Sequence, residues 1–135
     1  MNTRKRILIV DDDATNVALL DRLLRRAGFA LIAETTDARL VIPLFASDAP
    51  DLVLLDLGMP YIDGFEVISR LRARADGRAV PILVLTADTS SEARDRAIRL
   101  GAQDLLTKPI DANELLMSIA ALLEPGRPYQ TEGAK

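Results

Sequence analysis

Several polar residues stand directly behind runs of apolar ones, where a buried strand would run out into solvent. Asp11, Asp12 and Asp13 follow Ile7-Leu8-Ile9-Val10, Asp56 follows Leu52-Val53-Leu54-Leu55, and Thr86 follows Ile82-Leu83-Val84-Leu85. Lys108 precedes Pro109, just past Leu105 and Leu106. An acid behind a buried apolar run is costly unless it is paired or has a chemical task, which singles out Asp56. If Asp11, Asp12 and Asp56 lie together, they repel one another unless a divalent cation neutralises them. All-oxygen ligation with retained waters suits Mg2+, with Mn2+ as a substitute. Lys108 then offers a point charge to an anion, and Thr86 a hydroxyl. Those are the parts needed to transfer a phosphoryl group to an aspartate. The cation and the lysine neutralise its equatorial oxygens, while the hydroxyl and nearby backbone N–H groups hold their geometry.

The elements that must position these residues are legible from periodicity. The three strong apolar runs do not alternate with polar residues, the pattern of strands buried on both faces. Two weaker strands are expected at Ala30 to Thr35 and Asp104 to Thr107. Val17, Leu20, Leu24 and Ala27 have helical spacing and end at Gly28. Asp63 with Glu66 reads as a capping box for a helix carrying Phe65, Ile68, Leu71 and Ala75. Thr89 with Glu92 opens another, carrying Ala93, Ala97 and Leu100 and closed by Gly101. Asp111 with Glu114 opens the last, with Leu115, Leu116, Ile119, Leu122 and Leu123 as its apolar stripe. A helix near Ala38 to Ala46 contains Pro43 past its first turn, which predicts a kink or a shortened helix.

Strand and helix alternating five times predict an α/β fold, a doubly wound (βα)5 flavodoxin-like three-layer sandwich with parallel sheet order 2-1-3-4-5 and the weaker strands at the edges. Ligands bind such sheets at the carboxyl ends of the strands, where strand order reverses. Here that point lies between strands one and three, so Asp11, Asp12 and Asp56 converge there. Residues 1–124 are expected to form the domain. Residues 125–135, opened by Pro125-Gly126-Arg127-Pro128, are expected to be a flexible tail or the start of a linker.

Composition narrows the chemistry further. The 135 residues suit one domain with its own core. With no cysteine and no histidine, serine triads, HExxH metalloproteases and Cys/His enzymes are excluded. A net charge of −3 argues against direct nucleic-acid binding. The apolar runs are far too short for a membrane span, and Met1 to Arg6 lead into a run too brief for a signal peptide, so a cytoplasmic location is expected.

Five ordered motifs carry a family resemblance: ILIVDDD (Ile7 to Asp13), LVLLDLGMP (Leu52 to Pro60), Asp63-Gly64, VLTAD (Val84 to Asp88) and GAQDLLTKP (Gly101 to Pro109). Over about Arg4 to Glu124 the chain resembles the receiver domains of two-component response regulators. The resemblance implies that Asp56 is the phosphoacceptor and that Asp12 binds Mg2+ directly, with Asp11 acting mainly through a bound water and the backbone carbonyl of Gly58 as a further ligand. It implies that Thr86 is the switch hydroxyl, that Lys108 pairs with the phosphoryl group, and that the bond before Pro109 is cis. The implied donor is a histidine kinase or histidine phosphotransfer protein, and the implied output is a downstream protein bound by the face of the fourth helix, fifth strand and fifth helix. Such a domain is a signalling module rather than an enzyme, catalysing only its own phosphorylation and dephosphorylation. The chain departs from the family pattern at Leu105, where many receivers carry Tyr or Phe, at Gly58 and Asp88 beside the site, and at Ser118, where DNA-binding receivers of the winged-helix class usually carry Arg.

Plainer roles compete at several positions. Asp13 reads better as a helix N-cap than as a metal ligand, as do Asp63 and Asp111. Arg94-Asp95-Arg96 reads as a solvated helix face, and Leu105, Ile110 and Leu116 as core or interface filler. A single-domain regulator is the expected form, with a receiver excised from a multidomain regulator as the alternative. A haloacid-dehalogenase-type phosphatase would also use Asp and Mg2+, but it wants a Gly-Thr turn after its acids, where this chain has Ala14-Thr15-Asn16. A flavodoxin-like cofactor binder wants a Ser/Thr/Gly phosphate loop where this chain puts three acids.

Overall fold

The apolar runs form the sheet they predict. In the computed structural model, which describes residues 3–124, the strands are β1 (Ile7–Val10), β2 (Ile32–Thr35), β3 (Leu52–Asp56), β4 (Ile82–Thr86) and β5 (Asp104–Thr107). All pairs are parallel and the order is β2-β1-β3-β4-β5. Every residue of β1, β3 and β4 is buried, whereas β2 and β5 at the edges are partly exposed. Parallel strands demand this, because the crossover helices cover both faces. Successive side chains divide between the layers. Leu8, Val10, Val53 and Leu55 join Val41, Phe45, Val67, Ile68 and Ala97 on one face. Ile7, Ile9, Leu52 and Leu54 join Val17, Leu20, Leu24, Leu115 and Ile119 on the other. The result is the three-layer, flavodoxin-like α/β sandwich.

Helices α1 (Ala14–Arg26) and α5 (Ala112–Leu123) cover one face; α2 (Val41–Asp48), α3 (Gly64–Ala73) and α4 (Ser91–Leu100) cover the other. Asp13, Asp63 and Asp111 are the expected N-caps, accepting from Thr15, Glu66 and Asn113 backbone N–H respectively. The Asp63 box is one-sided, since the Glu66 side chain turns along the helix to pair with Arg70 at 3.0 Å. The fourth start signal is displaced by one residue: Ser90 caps α4, its hydroxyl accepting from Ala93 N–H, in place of Thr89.

Pro43 does not interrupt α2, but the α-helix begins only at Val41, three residues after the expected start. A 3-10 turn over Ala38–Leu40, capped by Asp37, precedes α2 proper, so Pro43 falls in the first turn of α2. A backbone N–H there has no intrahelical partner to lose. The helix runs on to Asp48 and closes at Ala49 with φ 48°. In α3 the buried stripe is Val67, Ile68 and Leu71; Phe65 is half-buried, and Ala75 lies past the helix in a second 3-10 turn, Ala75–Gly77. The expected tail at 125–135 lies outside the described residues. Among the described residues, no helix is long and apolar enough to cross a membrane.

Candidate functional site

Because Val10 pairs with Leu55 across β1 and β3, the residues that follow them leave the sheet side by side. Asp11 and Asp56 are both buried, at 2% and 8% exposure, while Asp12 is exposed. One carboxylate oxygen from each of Asp11, Asp12 and Asp56 lies within 4.8 Å of the others. Asp13 turns away to cap α1, and its backbone N–H donates to Asp11 Oδ1 at 2.9 Å. The convergence expected from strand order is therefore present, and its members are the three acids named from the sequence.

β4 and β5 extend the row. Leu85 pairs with Asp56, and Thr86 with Thr107. Lys108 is anchored by its backbone N–H to the Thr86 carbonyl at 2.7 Å, and the bond to Pro109 is cis. Its Nζ lies 2.9 Å from Asp11 Oδ2 and 3.6 Å from Asp56 Oδ1, bridging the two buried carboxylates. Burial pulls the Lys108 pKa down, but its hydrogen bond to Asp11 and the charges of Asp56 and Asp11 outweigh it, so the ammonium is held above its ordinary value. The Asp56 carboxyl is pushed up to about 6, chiefly by burial. Lys108 opposes that rise, Asp11 adds to it, the Gly58 backbone N–H opposes it and Asp12 adds to it.

Thr86 is 3% exposed and its hydroxyl is already engaged, accepting from Asp88 N–H at 3.0 Å. From there a relay of hydrogen bonds leads outward. Asp88 Oδ1 accepts from Ser90 N–H at 2.9 Å, and Ser90 Oγ accepts from Ala93 N–H at 3.1 Å inside α4. The buried end of β4 is thus tied to the cap of α4 by three successive hydrogen bonds, a connection no sequence motif announces.

Gly58 is exposed, and its backbone N–H donates to Asp56 Oδ1 at 3.4 Å. It lies on the loop between β3 and α3, whose base is closed by Gly64 N–H on the Leu57 carbonyl at 2.8 Å. A Cβ at Gly64 would stand 2.5 Å from the Asp56 carbonyl oxygen, so the close return of this loop requires glycine. Two further contributors were missed from the sequence. Asn16, in the first turn of α1, places Nδ2 3.5 Å from Asp11 Oδ2; its place one helical turn past the acids was the available signal. Tyr61, on the same loop as Gly58, carries the Arg39 guanidinium 3.9 Å from its ring centroid. Nothing local in the sequence brings those two together.

With this geometry in place, comparison with known proteins is direct. The response regulator MprA of Mycolicibacterium vanbaalenii is 43% identical over 128 residues, covering 95% of this chain and 54% of that protein. The chain thus spans about half the length of this curated relative. A putative response regulator from Chloroflexus aurantiacus superposes with a TM-score of 0.84 at 31% identity, covering 89% of this chain and 98% of that one. The receiver domain of the sensor histidine kinase PA1611 from Pseudomonas aeruginosa, solved with a magnesium ion coordinated in its active site cleft, gives 0.81 at 28% identity, covering 89% and 98%. A family model described as the response regulator receiver domain matches residues 7–120. Strand order, helix placement and a match over nearly all of the folded chain agree, and the chain belongs to the family of response regulator receiver domains.

Proposed function

We propose that Asp56 accepts a phosphoryl group from the phosphohistidine of a separate histidine kinase or phosphotransfer protein, and that Thr86 passes the change to α4. The observation that carries this reading is the Lys108 ammonium set between Asp11 and Asp56 at the carboxyl ends of the strands. An oxygen of Asp56 forms the new bond to phosphorus as the bond to the donor's imidazole nitrogen breaks, and its electron pair leaves with the imidazole. Asp56 is ionised above about pH 6 and so is a competent nucleophile near neutrality. Lys108 follows the charge outward, exchanging its contact with a carboxylate for one with a phosphoryl oxygen. The chain has no histidine of its own, so the donor is a different protein, a different domain or a small acyl phosphate.

The donor set fits a small hard cation: oxygens only, one from each of three carboxylates, on a rim where Asp12 is exposed to water. Asp12 and Asp56 would hold Mg2+, or Mn2+ in its place, with Asp11 at one remove and the Gly58 carbonyl as a further ligand. When bound, the cation supplies positive charge to the carboxylates and to the phosphoryl oxygens.

The Thr86 hydroxyl accepts from Asp88 N–H and keeps its own proton to donate to the phosphoryl group. Turning the hydroxyl toward that group pulls on the first link of the relay that ends in the Ser90 cap of α4. The output is therefore a change at α4 and the adjoining β5 and α5, read by a downstream protein. This route needs no aromatic at position 105, where Leu105 is already buried against Val84 and Ala97. A domain of this kind turns over only its own aspartyl phosphate and binds no nucleic acid directly, and it does so equally alone or joined to an output domain.

The test is incubation with acetyl phosphate and Mg2+ followed by intact-mass measurement. One acid-stable, base-labile phosphoryl adduct of about 80 Da is expected, and it is lost in Asp56→Asn. The same adduct in that variant overturns the assignment.

A further inference from the structure

The loop that carries Gly58 ends in a strained turn with an unusual occupant. Ile62 N–H donates to the Pro60 carbonyl at 2.8 Å, closing a three-residue turn whose central residue, Tyr61, has φ 69°. A γ-turn with positive central φ is rare and strained, and a bulky residue at its centre is more so. Glycine would adopt this backbone freely, yet the position holds an aromatic ring that is 76% exposed and gains nothing from the core. What engages the ring is Arg39, with its guanidinium carbon 3.9 Å from the centroid.

Arg39 is itself held in place. Asp37 receives its Nε at 3.0 Å, its Nη2 at 2.9 Å and its backbone N–H at 2.9 Å. The Asp37 backbone N–H in turn donates to Thr35 Oγ1 at 3.0 Å, at the end of β2. The Thr35 carbonyl receives Asp11 N–H at 3.3 Å. A chain of contacts therefore runs from Asp11 through Thr35, Asp37 and Arg39 to Tyr61, on the same loop as Gly58. It links the ends of β1 and β2 to the loop that follows β3.

We propose that the Arg39–Tyr61 stack is a latch that positions the Gly58 loop, and through it Asp56, for cation binding. Both are positioning residues and touch neither cation nor phosphoryl group. The loop base is fixed by Gly64 on the Leu57 carbonyl, and the stack fixes its tip. The strain at Tyr61 persists because the ring is needed there, and opening the stack lets the Gly58 N–H leave the Asp56 carboxylate. This inference rests on the reading of Asp11, Asp12 and Asp56 as the cation site.

The test is calorimetric titration of Mg2+ into the full chain and its Tyr61→Phe, Tyr61→Gly, Arg39→Gln and doubly substituted Arg39→Gln/Tyr61→Gly forms, each paired with a metal-free melting curve. Tyr61→Phe keeps the ring and is expected to bind as the parent does. Tyr61→Gly and Arg39→Gln are each expected to weaken Mg2+ about tenfold, the lower end of the effect of removing an outer support. The double variant is expected to be no weaker than either single one. The metal-free Tm of Tyr61→Gly should not fall, because glycine suits the left-handed backbone; a purely structural residue would lower Tm and affinity together. If Tyr61→Gly and Arg39→Gln bind Mg2+ as the parent does, while Asp12→Asn abolishes binding, the latch is wrong and the cation site stands. If the parent itself takes up no Mg2+, both readings fall.

Discussion

Asp56 is a carboxylate kept where charge is costly, and its elevated pKa has a consequence for stability. The folded value of about 6 exceeds the ordinary 3.8, so between those values the folded state binds the proton and the unfolded state does not. Stability therefore falls as pH rises through this window, and above it the penalty is fully present, about 3 kcal/mol for a shift of about two units. Asp56→Asn is expected to raise the metal-free Tm at pH 7.5 and to flatten its pH dependence between about 4 and 6, read by thermal melts in chelator. Lys108 keeps its Asp11 partner in that variant, so no cation is stranded. Gly58 tells the opposite story: a Cβ there meets nothing within 4 Å and its φ is not positive. Gly58→Asn should leave stability within about 0.5 kcal/mol of the parent, so that any change it brings shows in the lifetime of the aspartyl phosphate. At Tyr61 the left-handed backbone costs about 1–2 kcal/mol, which the stack on Arg39 offsets in part.

Helix α4 is held differently at its two ends. Its first turn hangs on Ser90, the last link of the relay from Thr86, and Ser90→Ala should cost about 1 kcal/mol while weakening the output response more than the phosphorylation itself. Its last turn is clamped by Arg72 of α3, whose guanidinium donates to the Gly101 carbonyl at 2.7 and 3.2 Å, to the Gly77 carbonyl at 2.6 Å and to Gln103 Oε1 at 2.8 Å. Burial pushes the Arg72 pKa down from the ordinary arginine value, yet these carbonyls satisfy its donors. A helix fixed at its end and tied to the site at its start is suited to pivot. Arg72→Met takes the guanidinium from the Gly77 and Gly101 carbonyls, while Gln103 Oε1 keeps the Ile82 N–H, and should cost about 2–3 kcal/mol in chemical denaturation. Leu105→Ala, by contrast, should lose about 2–4 kcal/mol as a buried leucine and still give the acetyl-phosphate adduct. These couplings were illegible in the sequence because Arg72 reaches a carbonyl 29 residues away. The Thr89 start signal failed more narrowly, as Ser90 one residue on is an equally good cap and the path out of β4 selects it.

At the scale of the whole molecule, a net charge of −3 conceals a concentration of acid at one end of the sheet. A ligand that binds only the folded state stabilises it by mass action, so free Mg2+ at 100 times its Kd should add about 2.7 kcal/mol. That gain is expected to vanish in Asp12→Asn. The amino-acid sequence by itself determined the alternation of strand and helix, the parallel sheet, the stops at Gly28 and Gly101 and the row of polar residues at the strand ends. These follow from local periodicity and from burial, and both are written into neighbouring residues. Strand order turned three dispersed acids into one expected cluster, and the register of β1 against β3 places them so. What only the tertiary structure decided are the contacts between residues that no period relates: Lys108 between two carboxylates, Asn16 on Asp11, the Thr86 hydroxyl turned to Asp88, and Arg39 on Tyr61. Side chains meet there because separate loops leave adjacent strand ends at particular angles, and those angles are set by the packing of the whole sandwich.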